Sequence, residues 1–197
     1  VNVSGSAMNL TEQDEKCDAV IQLFYCGSDG GNALADVIFG RVNPSGHLPV
    51  TFYRSTEDLP PFEDYSMENR TYKFFREKPL YPFGYGLSYT TFEHSNLTVK
   101  PKKHGADFTI DVTNTGDRAG DEVVLLYIHK CNADVRVPIK KLVAFKRVSL
   151  KPGQTKTVSL KTEKDAFYHV NKNGKWIFTE GEFDVMCGNI AEVIYVK

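Results

Sequence analysis

From about residue 93 to the C-terminus the chain shows only short extended runs broken by turn signals, with no helical periodicity. Phe108, Ile110 and Val112 alternate with polar residues and stop at Asn114-Thr115-Gly116. Val123-Val124-Leu125-Leu126-Tyr127-Ile128 follows, then Leu142-Val143-Ala144-Phe145 running on to Val148 and Leu150. Pro152-Gly153 turns the chain into Thr155-Lys156-Thr157-Val158-Ser159-Leu160. Asn173-Gly174 is a strong hairpin signal between the strands around Phe167-Tyr168 and Trp176-Ile177-Phe178. Phe183, Val185 and Val193-Ile194-Tyr195 complete the set. About seven short strands with turns between them, in about 105 residues, predict an immunoglobulin-like or fibronectin III-like β-sandwich over 93–197.

The opening 55 residues follow a different rule. Ala19-Val20-Ile21-Gln22-Leu23-Phe24-Tyr25 is nearly continuous in apolar residues. Such a run suits a strand buried on both faces, as in a parallel sheet. Cys26-Gly27-Ser28-Asp29-Gly30-Gly31 then reads as a loop, and Leu34, Val37 and Ile38 fall at helical spacing. Asn32 is positioned to cap that helix and Gly40 to close it. Strand, glycine loop and helix make one βα unit, with Leu48-Pro49-Val50-Thr51-Phe52 as a further extended piece. One such unit cannot cover a parallel sheet, which needs helices on both faces. Residues 1–55 therefore read as the C-terminal remnant of an α/β sandwich whose front half lies elsewhere. The uncovered run and open sheet edge predict association in isolation. The expected fold class is mainly β with an α/β remnant.

Between these zones, residues 56–92 form an aromatic connecting segment. Ten of the 24 aromatic residues fall between Phe62 and Phe92. A linker of that composition is not the flexible Gly/Ser kind, and its rings are expected to lie against a large surface.

Charge and composition narrow the function. With 24 basic and 25 acidic side chains the net charge is −1, which argues against a nucleic-acid backbone or an anionic membrane as partner. No apolar stretch approaches the roughly 20 residues of a membrane-spanning helix. Cys17, Cys26, Cys131 and Cys187 contain no C-x-x-C pair and read as free, partly buried thiols, with a disulfide the alternative. Asn2, Asn9, Asn69 and Asn96 stand in glycosylation sequons. His47, His94, His104, His129 and His169 show no ligand spacing, so no metal and no cofactor is expected.

The ordered segments Gly30-Gly31-Asn32-Ala33-Leu34-Ala35-Asp36-Val37-Ile38-Phe39-Gly40 and Asn43-Pro44-Ser45-Gly46-His47-Leu48-Pro49-Val50-Thr51-Phe52 resemble the C-terminal α/β domain of family 3 glycoside hydrolases. Leu80-Tyr81-Pro82-Phe83-Gly84-Tyr85-Gly86-Leu87-Ser88-Tyr89-Thr90-Thr91-Phe92 is similar to the segment that leads into that family's fibronectin III-like domain. Ala119-Gly120-Asp121-Glu122-Val123-Val124, Pro152-Gly153 and Gly181-Glu182-Phe183 resemble signatures of the latter domain. Leu59-Pro60-Pro61-Phe62-Glu63-Asp64-Tyr65-Ser66-Met67 and Arg70-Thr71-Tyr72-Lys73-Phe74-Phe75 look most like the β-xylosidase branch.

The resemblance implies a retaining β-glycosidase that cleaves a non-reducing terminal β-linked xylo- or gluco-saccharide, in an extracellular or periplasmic setting. It also implies that the nucleophilic Asp lies on an N-terminal barrel and the acid/base Glu earlier in the α/β domain. No catalytic residue is therefore assigned here, and the chain alone is expected to be inactive. Its role would be scaffold and cleft wall, completed by the N-terminal barrel and the front half of the α/β domain. The competing reading is a stand-alone carbohydrate-binding or protein-docking module.

Three residues are candidates for substrate binding. Asp29 follows the carboxyl end of the apolar run, where open α/β sheets place ligands, and could accept a sugar hydroxyl. The alternative is a tight turn shaped for packing. Arg70 and Tyr72 stand in a polar, aromatic stretch that could border the sugar cleft, or Tyr72 could join Phe74, Tyr81 and Phe83 as domain glue. The lone Trp176 is expected in the sandwich core, with a sugar platform as the alternative.

Overall fold

A computed structural model describes residues 1–163 and 165–197. Two compact units emerge, Val1–Leu87 and Ser88–Lys197. Among its described residues the second forms only strands, nine in chain order: β1 (Phe92–Lys102), β2 (Gly105–Asn114), β3 (Gly120–Lys130), β4 (Lys141–Leu150), β5 (Thr155–Lys161), β6 (Tyr168–Val170), β7 (Trp176–Phe178), β8 (Gly181–Cys187) and β9 (Ile190–Val196). One antiparallel sheet runs β1-β2-β5 and the other β4-β3-β8-β9, while β6 and β7 form a separate hairpin.

The period-two pattern explains this layering. On β2, Phe108, Ile110 and Val112 point inward and are sealed from solvent; Phe108 pairs with Leu160 and Ile110 with Val158 on β5. From the other sheet Val124, Leu126 and Ile128 meet them, with Val185 and Cys187 from β8. The opposite side of β2 carries Thr109, Asp111 and Thr113. Asp111 accepts from Asn96 at 2.9 Å and Thr157 at 2.5 Å. Those two hydrogen bonds, Thr157 first, hold its carboxyl below the ordinary carboxylate range.

Asn114 is the one fully buried amide among the described core residues, and it is satisfied on all sides. Its oxygen accepts from Thr90 Oγ1 (2.7 Å) and the Gly116 N–H (3.1 Å); its nitrogen donates to the carbonyls of Arg118 (2.7 Å) and Leu150 (3.1 Å). The segment Asn114-Thr115-Gly116 thus ties three corners of the sandwich together, as a buried polar group must. At the β6–β7 turn Gly174 takes φ 72°, the left-handed backbone that an Asn-Gly hairpin requires.

Trp176 corrects the expectation of a core position: on β7 it is 53% exposed. The inward wall near it is already filled by Phe167 and Phe183, whose rings meet edge-on at 5.1 Å. Phe178 of the same strand packs on the sandwich core, whereas Trp176 pairs with Val170 at the loop end of the hairpin.

The first unit contains α1 (Thr11–Lys16), α2 (Gly30–Ile38), a 3₁₀ turn at Thr56–Asp58 and α3 (Thr71–Phe74). Its small core is Leu10, Phe52 and Leu80, with Ala7, Val20, Leu48 and Tyr81 packed on it. Residues 19–25 do not form the strand buried on both faces that their composition predicts. They make one parallel bridge, Asn2 with Gln22, and Tyr25 lies in solvent. A buried parallel strand needs neighbours along both edges, and here the Asn2 segment bonds to it along one, through Ile21 and Leu23.

The helix forms as the spacing predicts but starts three residues earlier, with its cap at Asp29 instead of Asn32. Asp29 stands at its N-cap, and Asn32 donates its side-chain amide to Asp29 Oδ1 at 2.6 Å rather than capping the helix. A carboxylate there also opposes the positive end of the helix dipole. Gly40 ends the element, but none of its residues is buried. The aromatic segment is likewise only partly packed: Phe75 is buried, whereas Phe62 and Tyr65 are each 83% exposed.

Among the described residues no helix is long and apolar enough to cross a membrane.

Candidate functional site

The polar and aromatic loop around Arg70 is held by several hydrogen bonds of its own. Pro60-Pro61 and the Asp64 turn present carbonyl groups, and Arg70 gathers them. Its guanidinium donates through Nη2 to Pro61 O at 2.6 Å and Pro60 O at 3.4 Å, and through Nε to Asp64 O at 3.2 Å. Arginine suits this work because its planar fork spans acceptors that a lysine reaches only one at a time. Asp64 in turn accepts from the Ser66 N–H at 2.8 Å.

Met67, Asn69 and Thr71 all adopt positive φ, at 65°, 53° and 57°. For a β-branched residue such as Thr71 that backbone costs about 1–3 kcal/mol. It persists because the surroundings over-determine it: the Thr71 N–H donates to the Tyr53 hydroxyl at 2.7 Å, and Tyr53 packs edge-on against Phe75 at 4.9 Å. Tyr72, at the start of α3, stacks on Phe83 with ring centroids 4.2 Å apart and planes 21° from parallel.

A second set of contacts secures the segment that carries Phe83. Phe52 and Tyr81 exchange backbone hydrogen bonds at 2.9 and 3.1 Å, and Leu48 bonds to Tyr85 at 2.8 Å. His47 donates from Nδ1 to Gly84 O at 2.7 Å, a carbonyl being able only to accept. Gly86 runs so close to Gly46 that a Cβ on it would collide with the Gly46 carbonyl oxygen, which accounts for the glycine at 86. The Tyr81 hydroxyl donates to Asp14 Oδ1 at 2.5 Å and its ring stacks on Tyr85. Burial and then the Asp14 carboxylate push the Tyr81 phenol above its ordinary value.

The three predicted residues therefore fall in two places. Arg70 and Tyr72 are neighbours at the N-terminal end of α3, whereas Asp29 stands at the N-cap of α2. Tyr53 and His47 escaped the sequence reading. The signal for Tyr53 was its position one residue past Phe52, which puts an amphipathic ring on the opposite face of an extended piece. No group of three or more metal-ligating side chains occurs among the described residues.

Comparison with known proteins places this geometry. The description "Glycosyl hydrolase family 3 C-terminal domain" matches residues 1–89, and "Fibronectin type III-like domain" matches 122–191. The chain belongs to glycosyl hydrolase family 3. The xylan 1,4-beta-xylosidase of Xylanibacter ruminicola is 44% identical over 95% of the chain, which covers 22% of that enzyme. The periplasmic beta-glucosidase of Salmonella typhimurium is 37% identical over 95% of the chain, 27% of its own length. Among solved structures, the beta-glucosidase of Kluyveromyces marxianus superposes with a TM-score of 0.89 at 34% identity, over 100% of this chain and 26% of that one. The chain thus spans about a quarter of the family 3 relatives it matches. Within family 3 it corresponds to the C-terminal region, where the α/β part is followed by a fibronectin III-like sandwich.

Proposed function

We propose that this chain is the scaffold and cleft wall of a retaining β-glycosidase acting on non-reducing terminal β-linked sugars. β-Xyloside is the first substrate and β-glucoside the next. The observation that carries the reading is the 44% identity to a xylan 1,4-beta-xylosidase across nearly the whole chain. Retaining hydrolysis needs two carboxyl groups about 5 Å apart, a nucleophile and an acid/base. In this reading both lie outside these 197 residues.

The chain's contribution is positional. Tyr72 offers a ring braced by Phe83, and Asp29 an exposed carboxylate able to accept a sugar hydroxyl. Arg70 acts through the 60–64 loop, whose carbonyls it fixes. The setting is extracellular or periplasmic, in line with the periplasmic relative.

The test is hydrolysis of aryl β-xyloside and aryl β-glucoside by the 197-residue chain and by a longer enzyme that contains it. Activity in the longer enzyme, none in the chain, and a raised KM for Tyr72→Ala support the proposal. Turnover by the chain alone sinks it. Exposure of Trp176 lends weight to a second reading, a carbohydrate-binding module.

A further inference from the structure

Two anchored side chains flank one strained residue in the first unit. Arg70 is tied to the carbonyls of Pro60, Pro61 and Asp64. Tyr72 is stacked on Phe83 with ring centroids 4.2 Å apart. Thr71 is the single residue between them, so its backbone is the joint that sets the 60–64 loop and the Tyr72 ring relative to each other. Arg70 is extended at φ −109° and ψ 139°, while α3 closes with the Phe75 N–H on Thr71 O at 2.9 Å. The change from extended to helical backbone therefore falls on Thr71, and it does so at φ 57°. A β-branched residue takes that conformation only under constraint.

Tyr53 supplies a constraint from outside the loop. Its hydroxyl accepts from the Thr71 N–H at 2.7 Å, and its ring meets the buried Phe75 edge-on at 4.9 Å. Phe52, the residue before it, is sealed in the small core, which fixes where the tyrosine starts. Thr71 is exposed, so water satisfies its N–H equally well and the hydroxyl is not there to rescue a buried donor. What the hydroxyl adds is a fixed point for the strained amide. A phenylalanine would keep the ring contact with Phe75 and lose that point alone.

We propose that Tyr53 is a positioning residue for sugar binding. By holding Thr71 in the left-handed conformation it keeps the Tyr72 ring and the 60–64 loop in the relation that receives the terminal sugar. The sugar as occupant rests on the glycosidase reading above; the hold on Thr71 does not. One neutral hydrogen bond shifts a local equilibrium about two- to tenfold. Apparent affinity falls with the fraction of molecules left in the competent conformation.

The kinetic test uses a longer enzyme that contains this chain, with aryl β-xyloside as substrate. Tyr53→Phe is expected to raise KM about three- to tenfold and leave kcat within about twofold, as when binding is lost equally from ground and transition states. In a Thr71→Gly background the same Tyr53→Phe change moves KM by less than about twofold, because glycine holds a positive φ without help. Using that background as reference removes the effect of the lost contact between the Thr71 hydroxyl and the Lys73 N–H. Tyr65→Phe, at an exposed tyrosine of the same segment, leaves both constants unchanged. A tyrosine that only stabilised the fold would show no such dependence on residue 71.

The hold itself is read in the 197-residue chain by limited trypsin digestion. Cutting after Arg70 requires the segment to open, and Tyr53→Phe should speed it about three- to tenfold. An unchanged KM, an equal KM effect in the Thr71→Gly background, or an unchanged rate of cutting each overturns the proposal. A native longer enzyme that hydrolyses neither aryl β-xyloside nor aryl β-glucoside overturns the glycosidase reading and the sugar with it, while faster cutting then still shows that Tyr53 holds the segment.

Discussion

The two units bury very different amounts of themselves. Among the described residues, Ser88–Lys197 seals seventeen apolar side chains in one continuous core, while the core cluster of Val1–Leu87 holds three, with Phe75 buried apart from it. The first unit does not lack apolar residues: Tyr25, Phe39, Phe62 and Tyr65 all stand in water. The difference lies in layers. Each strand of the sandwich has one apolar face, and the opposing sheet supplies its cover within the same unit. α2 has an apolar stripe too, yet Leu34 and Val37 are only partly covered and none of its residues is buried. Amphipathic pattern creates the capacity to bury surface, and only a second layer realises it.

Deleting the centre of the sandwich is the hardest test of that contrast. Phe108→Ala is expected to cost about 3–5 kcal/mol, read as a lower denaturation midpoint in the Trp176 emission. An exposed ring in the first unit, Phe62→Ala, should stay within about 0.5 kcal/mol. Similar losses for the two would erase the distinction.

The cysteines give a chemical version of the same comparison. Cys187 is buried and its thiol is pushed up to about 12, by burial first and then by the Glu122 carboxylate. Burial, followed by Asp184, also raises Cys131. Cys17 and Cys26 are exposed. A thiol reagent at neutral pH should modify Cys17 and Cys26 quickly and leave Cys187 about a thousandfold slower, because the thiolate is the nucleophile. Peptide mapping after brief labelling checks this; rapid labelling of Cys187 would show that the sandwich opens readily.

Asn114→Ala sharpens the contrast between polar and apolar burial. It strands the Thr90 hydroxyl, the Gly116 N–H and the carbonyls of Arg118 and Leu150. The expected loss in urea unfolding is about 2–3 kcal/mol, more than its removed volume alone would cost.

The smallest effect concerns pH. Tyr81 has its phenol raised in the folded state, so its contribution is complete below pH 10 and is lost as pH rises past that ordinary value. The unfolded chain then releases a proton that the folded one keeps. Alkaline titration of the first unit's circular-dichroism signal should show this loss, and Tyr81→Phe should flatten it. Asp111 works in the opposite direction: its lowered carboxyl stabilises the sandwich above the ordinary carboxylate value, and the benefit fades as pH falls through the folded one.

Several elements were legible because their signals are local. The alternation of Phe108, Ile110 and Val112, the Asn173-Gly174 turn and the spacing of Leu34, Val37 and Ile38 each determine a conformation from a few neighbouring residues. Motif resemblance located the family in the same way. Asp29 and Arg70 were legible as residue types with polar work to do, but not as partners. That Asp29 would hold Asn32, or that Arg70 would collect the carbonyls of 60–64, depends on how the loops close.

The sequence by itself determined which stretches are extended or helical and which faces are apolar, since steric preference and period act within a few residues. Tertiary structure alone decided which of those faces are covered. Residues 19–25 have the composition of a buried strand and Trp176 that of a core anchor, yet both remain partly open to water. Burial is a property of pairs of surfaces, and the second surface is not written in the residues of the first.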